Sequence, residues 1–446
     1  MNASSASGLR IAVVGSGISG LSAAWLLGKR HDVTLFEQSG RLGGHANTVS
    51  VDGPHGPVEV DTGFVVFNHD TYPNLVALLD HLGVATSETS MSFAVSRHSG
   101  NLEYAGTDLA SLFAQRANIL RLSFWSMLRD LRRFYATATR DLPALDSSRE
   151  ALGDYLQRRG YGAKFRDDHL LPMAAAIWSA PADTMLDYPA ASFIRFFGNH
   201  GLLKLHARPA WHTVVGGSKE YVRELIRPFT GQIRASTKVV HVTRNIRGAL
   251  LQTADGTTTA FDHVVIAGHA DDALAMLGDA SNRERHLLGA FRYTRNQAVL
   301  HTDAALMPRR REVWSSWNYV EHNRACVTYW MNRLQRLPGE MPLFVTINPD
   351  PYPSADSILH VENYSHPVFD ARAMEAQRDL WSLQGQLNSW YCGAYFGAGF
   401  HEDGLQAGLA VAEDLGGLRR PWCVADESAR ISRGRFEAID DVKAAS

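Results

Sequence analysis

The sequence predicts an α/β fold: a parallel sheet flanked by helices, assembled from separated stretches of chain, with a mixed α+β domain inserted between them. Three observations predict it. Residues 11–20 read as a strand running through Gly15-x-Gly17-x-x-Gly20 into a helix. Residues 261–267, Phe-Asp-His-Val-Val-Ile-Ala, read as a buried-type strand ending in small residues. Residues 389–412 read as a short strand, a glycine-rich turn and a helix from about Gly404. These pieces lie far apart in a chain of 446 residues, longer than a single core usually supports.

In the first piece, Gly15 allows the tight turn, Gly17 lets backbone amides approach a pyrophosphate, and Gly20 lets the helix pack close to the strand. Ser16, Ile18 and Ser19 supply amides at the positive end of that helix. A second strand ends at Glu37, followed by Gln38, about twenty residues on, where a carboxylate accepts hydrogen bonds from a ribose hydroxyl. An isolated glycine motif is weak evidence. Between a strand and a helix, with Glu37 in register, it is strong. A second glycine turn follows at once, Arg41-Leu42-Gly43-Gly44-His45, adding amides and a cation beside the same pyrophosphate. That favours FAD over NAD.

Residues 37–45, Glu-Gln-Ser-Gly-Arg-Leu-Gly-Gly-His, resemble the signature of the flavin-containing amine oxidase superfamily, which also holds phytoene desaturases. The usual pattern has arginine where this chain has His45, so one phosphate-facing cation becomes weaker and titratable. Asp61-Thr62-Gly63-Phe64, continuing through Val65, resembles the next family element, a strand end beside the flavin. A closer resemblance runs through residues 61–68, 71–74, 91–93, 390–395 and 399–405. It is to bacterial flavoproteins similar to the region that precedes the methyltransferase in plant cyclopropane fatty acid synthases. The resemblance implies a Rossmann-type FAD domain with an amine oxidase-like substrate domain. It places Val239 against the adenine, Gly393 and Ala394 near the pyrophosphate, and the amides around Gly404 and Leu405 under the pyrimidine edge of the flavin. Gly216-Gly217-Ser218 resembles the family's second glycine pair, or is an ordinary turn before the helix at Lys219.

The composition is that of an ordinary globular protein, with 45% apolar and 20% charged residues and a net charge of −2. Nothing in that balance argues for nucleic acid. Cys326, Cys392 and Cys423 lack metal-like spacing and fit a reducing, cytoplasmic compartment; Cys392 reads as a small buried residue rather than a covalent flavin link. None of the 19 histidines forms an H-x-H or H-x-x-x-H pair, so no metal is expected. The first apolar stretch is already the cofactor strand, and no run of about eighteen apolar residues exists, so neither a signal peptide nor a membrane span is expected.

Residues 8–75, 211–290 and 385–418 are assigned to the FAD domain, 76–210 and 291–384 to the substrate domain, and 1–7 and 425–446 to loose tails. The first insertion reads as mainly helical: Leu109, Leu112, Phe113, Ala117, Leu120, Phe124, Leu128, Leu131 and Tyr135 recur at helical steps, with Arg121, Arg129, Arg132 and Arg133 opposite. Such a stripe usually meets the core; the alternative is a helix lying on the inner face of an anionic membrane. The second insertion holds aromatic-rich strand-like pieces at 312–319 and 327–330, which either cover the flavin or fill a core.

His401 and Glu402 are candidates for a proton relay, and Asp403 for capping the helix that follows. Many amine oxidases of the superfamily place a lysine near the flavin N5, yet no lysine occurs here between Lys238 and Lys443. That favours a lipid over an amine. A ten-carbon acyl stretch buried in an apolar tunnel gains roughly 8 kcal/mol before ordering costs. Phe196, Phe197, Trp314, Trp317 and Tyr329 are candidates to line such a tunnel, each of them equally an ordinary core residue. The expected activity is FAD-dependent oxidation of an unsaturated or methyl-modified fatty acyl chain. The alternatives are a redox-neutral double-bond isomerase, an FAD-binding accessory partner of a cyclopropane-type lipid methyltransferase, and a generic amine oxidase.

Overall fold

The computed structural model describes residues 8–433 except 147, 149, 179–181, 200, 205–208, 322–324 and 426. Its centre is a five-stranded, all-parallel sheet in the spatial order 232–234, 32–36, 10–14, 263–266, 389–391. In chain order that is 3-2-1-4-5, so the winding reverses between Arg10–Val14 and His263–Ile266. Ligands of open α/β sheets bind at such a reversal, beyond the carboxyl ends of the strands. The apolar runs Ile11-Ala12-Val13-Val14 and Val264-Val265-Ile266 are buried, as strands covered on both faces must be.

The helix Ile18–Leu27 is buried along its whole length because it is sandwiched between the sheet and the helix His401–Gly416. Small residues permit that crossing. A Cβ on Gly408 would stand 2.2 Å from the Ser19 carbonyl oxygen, and one on Gly20 would stand 1.9 Å from that of Gly15. An antiparallel three-stranded sheet (Val239–Asn245, Gly248–Thr253, Thr258–Phe261) leans on the parallel one.

Arg244 fastens these distant pieces. Its side chain is fully buried and donates to Asp279, to both oxygens of Glu284, to Ser389 Oγ (2.9 Å) and to Tyr391 OH (2.7 Å). Burial alone would raise the Glu284 carboxyl, but hydrogen bonds from Arg244 and Tyr391, with the arginine charge, outweigh it and hold the group at about 2.

A seven-stranded sheet runs in the order 358–368, 292–301, 344–347, 325–330, 317–321, 93–97, 102–105. Two of its strands come from the first insertion, which is therefore less purely helical than its pattern suggests. Trp317–Glu321 joins Phe93 to Ser96 in parallel, a pairing between residues more than two hundred apart. Residues Arg311–Val313 form a 3-10 turn rather than a strand. Helices between Leu109 and Asn199 pack on one side of this sheet around Phe134, Tyr155, Phe165, Phe193 and Phe197.

The stretch 109–137 breaks into Leu109–Leu112, a 3-10 turn Arg116–Leu120 and the helix Leu122–Thr137. Its second half follows the stripe in part: Phe124 and Tyr135 are buried and Leu128 and Leu131 half-buried, while Met127 and Phe134, outside the stripe, are buried beside them. Its first half does not: Leu109 and Leu120 face outward. Residues 1–7 and 434–446 lie outside the described residues. Residues 427–433, assigned to a loose tail, are packed instead. Ile431 is buried, and Arg430 reaches Asp403 at 2.6 Å.

Candidate functional site

Gly15 closes the first strand at φ +102°, and its amide donates to Phe36 O. A Cβ on Gly17 would meet nothing within 4 Å, nor would one on Gly268, just past the neighbouring strand. Open space therefore stands over the winding reversal, bounded by the amides that begin the helix Ile18–Leu27. The second glycine turn is tied to the first by the Gly43 amide donating to Ser16 O at 2.9 Å. Gly43 (φ +114°) and Gly44 (φ +58°) hold conformations that side chains disfavour, and a Cβ on Gly44 would stand 3.0 Å from Gly17 Cα. Arg41 donates to Gly44 O and lies 3.7 Å from Glu362.

Glu37 accepts from the Ser16 amide (3.0 Å), Ser16 Oγ (2.6 Å) and the Ser39 amide (2.8 Å). One carboxylate thus links both turns at the carboxyl end of its strand. Gln38 beside it is exposed. Val239 is buried next to this edge, where the Thr237 amide donates to Glu37 O. Gly63 packs so closely on the second turn that a Cβ would stand 2.2 Å from His45 O, and the Phe64 amide donates to that same oxygen. Thr213 Oγ1 donates to Val65 O. Gly393 is extended, and Ala394 and Gly404 bring the helix His401–Gly416 against Ile18 and Ser19. Leu405 is fully buried in that contact.

His45 is not the titratable cation its position suggests. Burial, then the charges of His366, His269, His401 and Arg41, hold its pKa well below the usual histidine range. Its ring stacks on Tyr364 with centroids 4.8 Å apart and lies 5.3 Å from the His366 ring.

The two carboxylates in the first turn of the last helix, which the sequence places just ahead of it, are spent on structure. Glu402 is fully buried and accepts from the Asn74 amide (3.0 Å), Asn74 Nδ2 (2.9 Å), the Leu75 amide (2.9 Å) and Gln406 Nε2 (2.9 Å). It caps the helix Pro73–Leu82 from another element, which removes it from a proton relay. Asp403 accepts from the Phe400 amide at 2.7 Å and pairs with Arg430. It caps as expected, although from inside the helix, Phe400 being the first flanking residue.

His401 stacks on Phe64 (3.9 Å, 10°), and its Nε2 lies 2.6 Å from Tyr221 OH. Burial pushes its pKa down to about 3, so it is a neutral partner to Tyr221 rather than a base at neutral pH.

A second polar group, which the sequence did not reveal, stands on the strand Arg292–His301 and its neighbours. The Gln297 amide donates to Asn348 Oδ1, so Asn348 Nδ2 faces Asn296 Oδ1 at 2.7 Å. Asn296 Nδ2 then donates to His366 Nδ1 at 2.8 Å, which leaves the His366 proton on Nε2. Burial lowers His366 to about 4.

Of the tunnel candidates, Phe196 stacks on Phe400 at 4.8 Å, and Trp317 meets Tyr329 edge-on at 5.0 Å in the same apolar cluster. Phe197 belongs to that cluster and meets Phe196 edge-on at 6.2 Å. It is fully buried and stacks on Phe193 in the helical core. Trp314 packs on Trp330 and Phe344. Trp330 adjoins Tyr329 on one strand, so Trp314 lies on the opposite face of the sheet.

Residues 18–295 match the family of flavin containing amine oxidoreductases. The chain belongs to that family, and it is an FAD-dependent oxidoreductase with FAD as its cofactor. It is 28% identical over 181 residues to mitochondrial protoporphyrinogen oxidase of Nicotiana tabacum, a stretch covering 40% of this chain and 34% of that protein. The chain spans about a third or less of the curated relatives it matches. Among solved structures, a CLA-producing fatty acid isomerase from P. acnes superposes with a TM-score of 0.63 at 15% identity, covering 91% of this chain and 97% of that one. Putrescine oxidase superposes with a TM-score of 0.64 at 16% identity, covering 92% and 99%. At such identities these likenesses concern the fold. Among the described residues no helix is long and apolar enough to cross a membrane.

The cofactor's place is consistent with the geometry: open space over Gly17 and Gly268, two glycine turns locked together, and Glu37 at the strand edge. Cys392 is fully buried and burial pushes its thiol far up, so it is unsuited to a covalent link. Acid precipitation of the purified protein is therefore expected to leave all flavin in the supernatant. Yellow colour retained in the washed pellet would contradict this.

The neutral histidines also set an acid limit. His301 and His366 fall to about 4 and His401 to about 3, whereas an unfolded chain protonates them near 6.5. Stability is therefore expected to fall as pH drops from about 6.5 toward 4, because the unfolded state binds more protons there. Asp61, raised by burial to about 6, and Glu402, also raised by burial, work the other way, but they are two groups against five histidines that burial holds down, His45 and His263 included. Urea midpoints measured from pH 8 to pH 4 test this, and a midpoint that rose on acidification would refute it.

Proposed function

We propose that the enzyme oxidises an unsaturated or methyl-modified fatty acyl chain of a lipid. One observation carries the reading. The wall formed by Phe196, Phe400, Trp317 and Tyr329 is apolar, and the two carboxylates beside it, Glu402 and Asp403, are both consumed by internal hydrogen bonds. Among the described residues no acid on that wall is left to meet an ammonium group, whereas an acyl chain needs only apolar surface. Trp317 Nε1 is buried without an acceptor. A carbonyl or carboxylate oxygen of a lipid would satisfy it.

When bound, FAD supplies the two-electron acceptor. The chain's own part is to bind and orient. The amides of the two glycine turns would hold the pyrophosphate, and Glu37 would accept from the ribose. The positive end of the helix His401–Gly416 would favour negative charge on the bound group. His366 offers an N–H at Nε2 rather than a base, and His401 with Tyr221 keeps a neutral hydrogen-bonded edge beside Phe64.

A redox-neutral isomerase would need the same wall but no electron acceptor, so stoichiometric acceptor consumption separates the two. The experiment that tests the proposal is acyl-chain analysis of the lipids of a strain lacking the gene. A changed ratio of unsaturated or methyl-modified chains is expected, and an unchanged profile under every growth condition would sink it. Companionship with a cyclopropane-type lipid methyltransferase, which the resemblance suggests, is part of the same proposal. Copurification from the native strain checks it.

A further inference from the structure

Part of the surface is built the wrong way round for a protein that meets only water. Leu120 and Leu122 are each 87% exposed and Leu109 is 75% exposed, with Ile119 and Trp125 about half exposed beside them. They form one patch. Trp125 Nε1 donates to Ile119 O at 2.8 Å, and its ring lies 5.6 Å from that of Phe113, which ends the short helix begun at Leu109. The patch is held firmly from behind by Phe124, Met127 and Phe134, all buried on the inner face of the helix Leu122–Thr137.

Its electrostatics differ from those of the chain as a whole. Residues 109–137 carry Arg116, Arg121, Arg129, Arg132 and Arg133 against one acid, Asp130, in a protein whose net charge is −2. Asp130 is buried and accepts from the Gly162 amide, so it presents no negative charge to the outside. Among these arginines, Arg116, Arg129, Arg132 and Arg133 are exposed; Arg129 and Arg133 lie 3.6 Å and 3.5 Å from Asp130, which their charges neutralise. Exposed aliphatic tips, an indole and exposed guanidinium groups on the same stretch match the layered chemistry of a lipid headgroup boundary.

We propose that this patch docks the enzyme on an anionic bilayer surface, with Leu109, Leu120, Leu122 and Trp125 entering the acyl boundary and the arginines on headgroup phosphates. The inference stands apart from the identity of the substrate.

The test is sedimentation of the full-length, flavin-loaded protein with two sets of vesicles, phosphatidylcholine alone and phosphatidylcholine mixed with phosphatidylglycerol. Binding to the anionic vesicles is expected, weakening as salt is raised. The double variant Leu120→Ser/Leu122→Ser should bind at least about tenfold more weakly while its thermal midpoint stays unchanged, since both side chains are exposed. Arg116→Gln and Arg132→Gln should each weaken binding on the order of fivefold. Failure to sediment with anionic vesicles would overturn the proposal, as would equal binding by the leucine variant. A wild-type dimer that the leucine variant returns to monomer, without vesicle binding, would overturn it in favour of a second copy of the chain.

Discussion

Replacing Arg244 by Met is expected to cost about 3–5 kcal/mol of stability, because it strands the buried Glu284 carboxylate without its partner. The side chains of Arg244 and Glu284 are 0% and 4% exposed, so water cannot take the arginine's place. The cost should depend on pH in a stated direction. Glu284 sits at about 2 in the folded protein, against 4.5 when unperturbed. Its stabilising contribution is thus complete above pH 4.5 and is lost as pH falls toward 2. The difference between wild type and Arg244→Met should accordingly shrink as the medium is acidified below 4.5. Adding Glu284→Gln should recover part of the loss, since a neutral amide costs less to bury unpaired. Urea titrations of the three proteins at pH 7 and pH 4 read both effects. A loss below about 1 kcal/mol at pH 7 would mean that the cluster behaves as a solvated surface pair.

Gly408→Leu should have the second large effect, and this one should be felt first in the cofactor. The Cβ alone would stand 2.2 Å from Ser19 O and 2.4 Å from Ser22 Oγ. The helix His401–Gly416 would have to move off the helix Ile18–Leu27, and with it the glycine turn that begins the latter. Overpacking of this kind costs about 1–3 kcal/mol or more. Purified Gly408→Leu is expected to carry less than a tenth of the wild-type flavin, an order-of-magnitude loss that follows from about 1.4 kcal/mol per tenfold in affinity. Gly408→Ala should fall between the two. Full flavin occupancy in the leucine variant would contradict the close helix crossing.

How much of this was legible in the sequence depended on how local the information was. The glycine turns, Glu37 and the strand His263–Ile266 are each specified by neighbours a few residues away, through backbone reach and hydrophobic pattern. They stand where the reading put them. Glu402 is different. Its donors lie on Asn74 and Leu75, more than three hundred residues back, and no pattern around 402 announces them. The same holds for Asp403 with Arg430, and for Arg244, whose partners come from three other segments. Trp314 and Trp317 look alike in sequence. Only the turn Arg311–Val313 decides that they face opposite sides of the sheet. The stripe at 109–135 was half right for a related reason: helical periodicity assumes one unbroken helix, and two breaks rotate Leu109 and Leu120 away from the core. His45 shows a further limit, since its electrostatic state is set first by burial and then mainly by His366, His269 and His401 from other segments, with Arg41 of its own turn adding least.

The central claim is that an apolar wall with no free acid presents an acyl chain to a bound flavin. The most direct measurement is the visible absorption spectrum of the purified protein, recorded without oxygen before and after adding unsaturated phospholipid. The account predicts flavin bands that bleach on lipid addition and return with an electron acceptor. Flavin bands that lipid leaves unchanged, and that an amine bleaches instead, would contradict it.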